Sequence, residues 1–503
     1  PLHQITLLSE SEQVFLLEGF NTTGYFYEDS LTVLDAFKSQ ALKTPDAPAV
    51  IFEERLLTYA ELDKLTDKLG YYLKTQYTIA SGDRIGLLLD RSDYVVISLL
   101  GILKSGGGYV PIDPETPEDR ISMILEDAGV SLLISEMYYG MDQGSYHGPK
   151  FIIDVELDGL SEAPSDFTVS ISSKDLAYMI YTSGTTGTPK GVCITHGNLY
   201  HYIRWASTTY VNDQASNFAL FTSISFDLTV TSIFTPLVSG HSVVIYGNTS
   251  SHDLIRSVFT DPRVQVVKLT PSHLRVLQSC FEAGHSFSVN RFIIGGESLS
   301  RDLAQSIHEL FRGHATLYNE YGPTEATVGC MLYEYSSEDT CLSVPIGVPI
   351  ANMQAYVLDR HLAPVAIGVV GELYLSGAGL ASGYHDRDSL TEDRFIPHPY
   401  QPGVRMYKTG DLVRHLSAGV IEFIGRNDDQ VKIRGYRVEL GEVTAHVSHH
   451  ASVSEALVIS TDLIDGSTEL VAYVVQEDRS QLASLRSHLS GILPEYMVPR
   501  FYV

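Results

Sequence analysis

The sequence predicts an α/β fold in three parts: a large N-terminal core of layered α/β sheets, a small β-rich subdomain from about residue 350, and a small α+β domain at the C-terminal end. Three observations carry this. Continuous apolar strands alternate with longer helical patterns through most of the chain, as sheets covered on both faces require. From about Ile350 the texture changes to short alternating strands with glycine turns. After Gly425 comes a charged stretch, GRNDDQVKIRGYRVELGEV, and then a closing run of helix and strand patterns.

In chain order, the core elements begin with a strand at Arg84–Asp90, a helix at Tyr94–Gly106 and a strand at Gly108–Asp113. Further strands are expected at Phe151–Val155, His241–Gly247, Gln265–Leu269 and Arg291–Gly296. The segments MQAYVLD, GELYLSG and GVIEFIG form the β-rich part. Two short strands then meet at Arg434-Gly435. The last seventy residues read as helix, strand (Ala456–Ser460), a turn at Asp465-Gly466, strand (Glu469–Val475) and helix (Ser480–Leu489). A boundary between core and C-terminal domain is expected at Asn427–Asp429.

Composition narrows the function. The chain has 503 residues, 44% hydrophobic and 19% charged, which is ordinary globular usage. With 34 Lys+Arg against 61 Asp+Glu its net charge is −27, which argues against a non-specific nucleic-acid binder or an anionic-membrane binder. Cys193, Cys280, Cys330 and Cys341 form no CxxC pair and read as reduced core residues. The longest apolar run, Tyr94–Leu103, is about half of the ~20 residues a membrane span needs and reads as a buried helix. No signal peptide opens the chain, and residue 1 is a proline, so a piece of something longer is expected. These features together predict a cytoplasmic protein.

The strongest local signal is YTSGTTGTPKGV, Tyr181–Val192. Glycines let backbone N–H groups approach an anion, hydroxyls donate further hydrogen bonds and Lys190 supplies charge, which is what a polyphosphate cradle needs. It is not a Walker A loop, because the chain has no Gly-Lys dipeptide. GAGLAS at Gly377–Ser382 is read as a turn between strands, and His449-His450 as a solvated helix face. There is no HExxH, GxSxG or cysteine cluster.

Nine motifs in order carry a resemblance over essentially the whole chain. They are LTYAEL (Leu57–Leu62), LKSGGGYVPID (Leu103–Asp113), the Thr182–Gly191 loop, FDLTVTS (Phe226–Ser232), NEYGPTEATV (Asn319–Val328), GELYLSGAGLASGY (Gly371–Tyr384), YKTGDL (Tyr407–Leu412), GRNDDQVKIRGYRVELGE (Gly425–Glu442) and LPEYMVP (Leu493–Pro499). The sequence resembles the adenylation domains of nonribosomal peptide synthetases, within the wider adenylate-forming family that includes acyl-CoA synthetases and luciferases. The resemblance divides the chain into a linker from an upstream condensation domain (1–30), an adenylation core (31–427) and a mobile C-terminal subdomain (428–503).

The resemblance implies that ATP and Mg²⁺ activate an amino acid, which then passes to the phosphopantetheine thiol of a downstream carrier domain. Lys190, Thr324 and Glu325 are the implied catalytic residues, with Glu325 holding Mg²⁺. The ATP contacts implied are Thr182, Ser183, Gly184, Thr185, Thr186, Gly187 and Lys190 for the phosphates; Gly296, Glu297, Ser298, Asn319, Tyr321 and Gly322 about the adenine; Thr324 at the α-phosphate; and Asp411 and Arg426 at the ribose. Asp428 matches the hinge and Gly435 the pantetheine tunnel. A small MbtH-like activator is admitted. The family's last motif, with a lysine that bridges carboxylate and ATP, lies beyond Val503, so this stretch by itself is expected to adenylate poorly.

Substrate choice is implied to rest on Asp227, Leu228, Thr231, Lys268, Ile293, Gly295, Glu320, Val328 and Gly329. Asp227 pairs with the substrate ammonium, which disfavours an acyl- or aryl-CoA ligase, whose acids lack one. Lys268 and Glu320 offer one strong donor and one strong acceptor, with space expected above Gly295 and Gly329. A primary carboxamide matches both charges, so L-asparagine is expected, with aspartate second and glutamine disfavoured. The same two residues could instead neutralise each other as a buried pair. A non-catalytic nucleotide-binding scaffold is the remaining alternative.

Overall fold

Apolar strands joined by amphipathic helices fold here into two covered sheets, a β-rich layer and a small C-terminal unit. The computed structural model describes residues 8–28, 30–140, 146–184, 188–212, 215–282, 284–416, 419–463, 467–476 and 482–503. A nine-stranded sheet runs in the order Val348–Pro349, Met331–Glu334, Thr316–Tyr321, Arg291–Ile294, Val266–Leu269, Phe218–Leu220, Val243–Ile245, Pro48–Phe52 and Arg55–Thr58. A seven-stranded sheet runs Gly383–Tyr384, Lys190–Thr195, Leu176–Thr182, Gly108–Ile112, Arg84–Leu88, Leu132–Ser135 and Lys150–Ile152. Their central strands are parallel and buried, which is why they read as unbroken apolar runs. One apolar cluster, including Leu99, Tyr202, Phe234 and Ile293, joins the two sheets.

The apolar run from Tyr94 is indeed a buried helix, Asp93–Ser105, and it stops at Gly106, whose φ of +92° forms a left-handed cap. The expected strand Phe151–Val155 is corrected. The strand is Lys150–Ile152, and Ile153–Glu156 is a helical turn. Two carboxylates explain the switch: Glu156 accepts the Ile152 N–H at 2.7 Å, and Asp154 accepts the Met137 N–H at 2.9 Å. Both caps favour a turn over continued pairing.

The β-rich part is an antiparallel sheet of Met353–Leu358, Val370–Gly377, Arg405–His415 and Phe395–Pro397, with Ile421–Arg426 paired to Arg405–His415. The segment 8–28 lies against it: the Asn21 side chain exchanges two hydrogen bonds with the Ala355 backbone, and the Thr23 hydroxyl donates to the Met353 carbonyl.

The C-terminal unit begins with a hairpin, Gln430–Ile433 and Tyr436–Glu439. Its two turn residues, Arg434 and Gly435, have φ of +53° and +87°, the left-handed pair that a tight two-residue hairpin needs. Helices Leu440–Ser448 and Leu482–Ile492 then pack on the strands Val453–Asp462, Thr468–Gln476 and Phe501–Tyr502 around Val443, Val458, Leu485 and Leu489. The expected turn at Asp465-Gly466 and the helix start at Ser480 lie outside the described residues. All four cysteines are free, with Cys280 and Cys330 buried. Among the described residues, no helix is long and apolar enough to cross a membrane.

Burial makes the fold acid-sensitive. His196 is fully buried with both ring nitrogens unpaired, and burial depresses it to about 4; burial also takes His273 to about 4. Between about 6.5 and 4 the unfolded chain therefore binds protons that the folded chain refuses, so stability drops as pH falls through that window. Urea unfolding should show a clearly lower midpoint at pH 5 than at pH 7; an unchanged midpoint contradicts this.

Candidate active site

The carboxyl ends of the parallel strands Val266–Leu269, Arg291–Ile294 and Thr316–Tyr321 open on one side of the large sheet, where α/β folds bind ligands. The C-terminal hairpin closes this opening. The resulting cleft is lined from the core by Thr182, Ser183, Asp227, Gly296, Tyr321, Gly322, Thr324, Asp411 and Arg426, and from the hairpin by Lys432, Gly435 and Arg437. At the tip, Gly435 packs against the core. A Cβ there would meet Thr270 Cγ2 at 2.6 Å, and Gly296 lies beside it.

At one end of the cleft, Asp411 accepts hydrogen bonds from the Tyr321 hydroxyl and from Arg426. Arg426 also grips Asp428 through Nε at 2.6 Å and Nη2 at 2.8 Å. Burial alone would raise the Asp428 carboxyl, but the Arg426 hydrogen bonds and charge outweigh it and hold the group below its usual value. The expected ribose residues and the expected hinge residue thus share one guanidinium.

The other end is a cationic nest in an acidic protein. Lys190 is buried at the foot of its strand, 4.6 Å over the Tyr384 ring and 3.7 Å from Glu325. Burial, with Arg437 beside it, lowers the Lys190 ammonium to about 8 despite Glu325. Thr182 ends its strand on the cleft wall with a buried hydroxyl that has no partner among the described residues, and an anion in the cleft would supply one. Thr185, Thr186 and Gly187 lie outside the described residues.

Glu325 is fully buried. It accepts from Arg437 at 2.8 and 2.9 Å and from the Tyr384 hydroxyl at 2.7 Å. Burial would raise this carboxyl, but Arg437 and Lys190 together hold it well below the carboxylate range. As a hard carboxylate it suits Mg²⁺. In this orientation, however, Arg437 takes the oxygens a metal would need, and the described residues contain no cluster of three or more His, Cys, Asp or Glu for a metal.

Behind the cleft lies the expected specificity layer. Asp227 reaches the cleft and accepts a hydrogen bond from Thr324; burial pushes its carboxyl up to about 6, against the pull of Thr324 and Lys268. Lys268 and Glu320, whose charges both act on Asp227, form a buried ion pair with side chains 2% exposed. Lys268 also donates to Thr231 at 3.0 Å and Tyr202 at 3.2 Å. Glu320 accepts from Tyr202 at 2.8 Å and Tyr210 at 2.7 Å.

The space expected above Gly295 and Gly329 is corrected. A Cβ on Gly329 would lie 2.4 Å from the Glu320 carboxyl carbon, and one on Gly295 would lie 2.8 Å from the Glu320 carbonyl oxygen. These glycines make room for Glu320. The turn that places Gly329 is strained, since Thr327 and Val328 have φ of +56° and +67°, costing roughly 1–3 kcal/mol each. Thr231, Ile293 and Val328 are buried in the same layer, and Leu228 follows Asp227 at the head of its helix.

Three expected adenine contacts, Glu297, Ser298 and Asn319, are not in the cleft wall. Asn319 spends its amide hydrogens on the Val344 and Pro345 carbonyls at 3.1 and 2.7 Å, and Ser298 is exposed. Glu297 sits next to Gly296, accepts from Ser272 at 2.8 Å and is raised by burial.

The AMP-binding enzyme family matches residues 37–385, well over half the chain. The chain belongs to this family. This AMP-binding enzyme is 42% identical over its full length to tyrocidine synthase 3 of Brevibacillus parabrevis, and spans 8% of that relative's length. It is 44% identical to bacitracin synthase 3 of Bacillus licheniformis over 99% of its own length, again spanning 8% of the relative. Among solved structures it is similar to an artificially fused adenylation–PCP di-domain nonribosomal peptide synthetase from Klebsiella oxytoca: TM-score 0.84, 26% identity, covering 95% of this chain and 94% of that one. The fold of this AMP-binding enzyme is therefore that of an adenylation domain, with a large N-terminal core and a smaller C-terminal subdomain.

Sequence reasoning missed Arg437, Lys432, Glu442 and Arg120. One signal was available. With the hairpin turning at Arg434-Gly435, Lys432 and Arg437 stand directly opposite each other. Two facing cations repel unless both look at an anion.

Proposed function

We propose that this chain activates an amino acid as its aminoacyl-adenylate and hands it to the phosphopantetheine thiol of a carrier domain in a nonribosomal peptide synthetase. The observation that carries the reading is the placement of Asp227: a buried carboxylate on the cleft wall, distinct from the Asp411–Arg426 pair, in a cleft also lined by Arg120, Lys432 and Arg437. Asp227 suits an α-ammonium and the cations suit phosphates. In the reaction, a carboxylate oxygen of the amino acid bonds to the α-phosphorus of ATP, and the bond to the pyrophosphate oxygen breaks. Catalysis of this kind is positioning and charge neutralisation. In this reading Asp411 and Arg426 hold the ribose, Lys190 and the 182–184 loop hold the outer phosphates, and Thr324 stands by the α-phosphate. Mg²⁺ would neutralise phosphate charge at Glu325 once Arg437 has withdrawn. The hinge at Asp428, the tunnel at Gly435, the boundaries at 31–427 and 428–503, and the condensation, carrier and MbtH-like partners belong to the same proposal.

For the amino acid we propose L-asparagine, with aspartate second. Lys268 and Glu320 both act on the charge of Asp227, so a side chain that reached past Asp227 to the pair would meet both signs. An amide satisfies both, while a carboxylate is repelled by Glu320. The closed network around the pair favours a second reading, in which it is purely structural and the side chain is small or apolar. Amino-acid-dependent ATP–pyrophosphate exchange in the full-length protein, with Asn, Asp, Gln, Glu, Ala and Gly, separates them. Asparagine should be preferred, and Glu320→His should move preference toward aspartate. Preference for aspartate sinks the asparagine assignment, and preference for alanine or glycine supports the structural reading. Exchange only with acids lacking an amine points to an acyl- or aryl-CoA ligase, and no exchange at all to a nucleotide-binding scaffold.

A further inference from the structure

The network around Lys268 and Glu320 is hydrogen-bonded in a one-sided way. A lysine has three N–H groups, and Lys268 spends each of them: on Glu320 Oε2, on Thr231 Oγ1 at 3.0 Å and on Tyr202 Oη at 3.2 Å. Glu320 Oε1 accepts from Tyr202 at 2.8 Å and from Tyr210 at 2.7 Å. Tyr202 has one proton and gives it to that carboxylate, so in its 2.6 Å contact with Thr231 the threonine is the donor. Every N–H and O–H of the network is thereby taken. Both tyrosines are fully buried, so water replaces none of these bonds. What stays open is acceptor capacity. A carboxylate can take roughly four hydrogen bonds, and among the described residues Oε2 receives only Lys268.

We infer that Tyr202 is a positioning residue for substrate choice: by taking one N–H of Lys268 it leaves the network able to receive hydrogen bonds but not to give them, and so turns away side chains that only accept. This rests on the reading that the substrate side chain reaches the Lys268–Glu320 pair. The charge of Asp227, on the cleft wall, acts on Tyr202 as well as on the pair. An amide offers its NH₂ to Glu320 Oε2 and needs one donor in return. Lys268 supplies it by releasing Tyr202, the longest of its three bonds. A carboxylate has nothing to offer Oε2 and needs donors for both of its oxygens, while every donor is engaged. Tyr202 thus acts through Lys268 and not by its own contact with the substrate.

Two phenylalanine variants of the full-length protein test this. Tyr202→Phe frees one N–H of Lys268 and the Thr231 hydroxyl. Tyr210→Phe removes a comparable buried hydrogen bond from the same Glu320 oxygen but frees no donor. Each is assayed by ATP–pyrophosphate exchange with asparagine and with aspartate, alongside its urea midpoint. Tyr202→Phe should raise the kcat/KM ratio of aspartate to asparagine by about tenfold, the margin of a charge-assisted over a neutral hydrogen bond, and Tyr210→Phe should leave it within about twofold. A ratio unmoved by Tyr202→Phe, or moved equally by both variants, overturns the inference, because lost stability alone acts on both alike. Thr231→Val frees a Lys268 N–H by a second route and should move the ratio in the same direction, which keeps the test decisive where one variant folds poorly. Failure of the substrate reading is distinguishable. Preference of the unmutated protein for aspartate, alanine or glycine removes that reading and the inference with it, whereas asparagine preference with an unmoved ratio removes only the role of Tyr202.

Discussion

Lys268→Met should cost about 3–5 kcal/mol of folding stability, the loss expected when one partner of a buried ion pair is removed. Both side chains are 2% exposed, so neither water nor salt relieves the stranded Glu320 carboxylate. Two tyrosine hydroxyls, of Tyr202 and Tyr210, remain to it, and Thr231 loses the ammonium donor and keeps only its hydrogen bond with Tyr202. Glycine at 329 exists to admit that carboxyl, so no neighbour can collapse into the gap without moving the strained 327–328 turn. Changing both charges together, Lys268→Met with Glu320→Leu, should recover part of the loss, because an uncharged pair leaves only hydroxyls unpaired. The check is the urea midpoint of each variant. A single-variant loss below about 1 kcal/mol would mean the pair is not closed as described.

Asp227→Asn should lower kcat/KM for the amino acid by about 100-fold or more while AMP affinity stays nearly constant. A buried charged pair that loses one partner costs about 2–5 kcal/mol, and Asn is close to isosteric with Asp. The effect has a pH signature. Burial sets the Asp227 carboxyl at about 6, and only the ionised form pairs with an ammonium. The KM for the amino acid of the unmutated protein should therefore rise as pH falls below about 6, and the variant should lack that rise. Steady-state kinetics from pH 5 to 8 decide it; an identical pH profile in both proteins would remove Asp227 from the ammonium role.

What could be read from the sequence follows from how far apart the interacting residues lie in the chain. The Thr182–Gly191 loop, the hairpin at Arg434-Gly435 and the buried helix from Asp93 are local patterns, set by glycines, alternation and apolar period. The misread strand at Phe151–Val155 is also local, but its decision rests on two side-chain caps that an apolar run does not show. Contacts across the cleft were beyond reach. Arg120 and Glu442 are 322 positions apart, and Arg437 and Glu325 are 112 apart. Nothing within either stretch announces the other. The specificity layer falls between these cases. Lys268, Glu320 and Thr231 meet, but only the packing reveals that Gly295 and Gly329 accommodate Glu320 and not a ligand.

Oxygen tracing tests directly whether a carboxylate is activated by transfer of AMP. L-asparagine labelled with ¹⁸O in its α-carboxylate is incubated with ATP, Mg²⁺ and the full-length protein, and the nucleotide products are weighed by mass spectrometry after the acyl group has left. Attack on the α-phosphorus predicts AMP carrying one ¹⁸O from the carboxylate. Unlabelled AMP, or ADP as the product, would contradict the account.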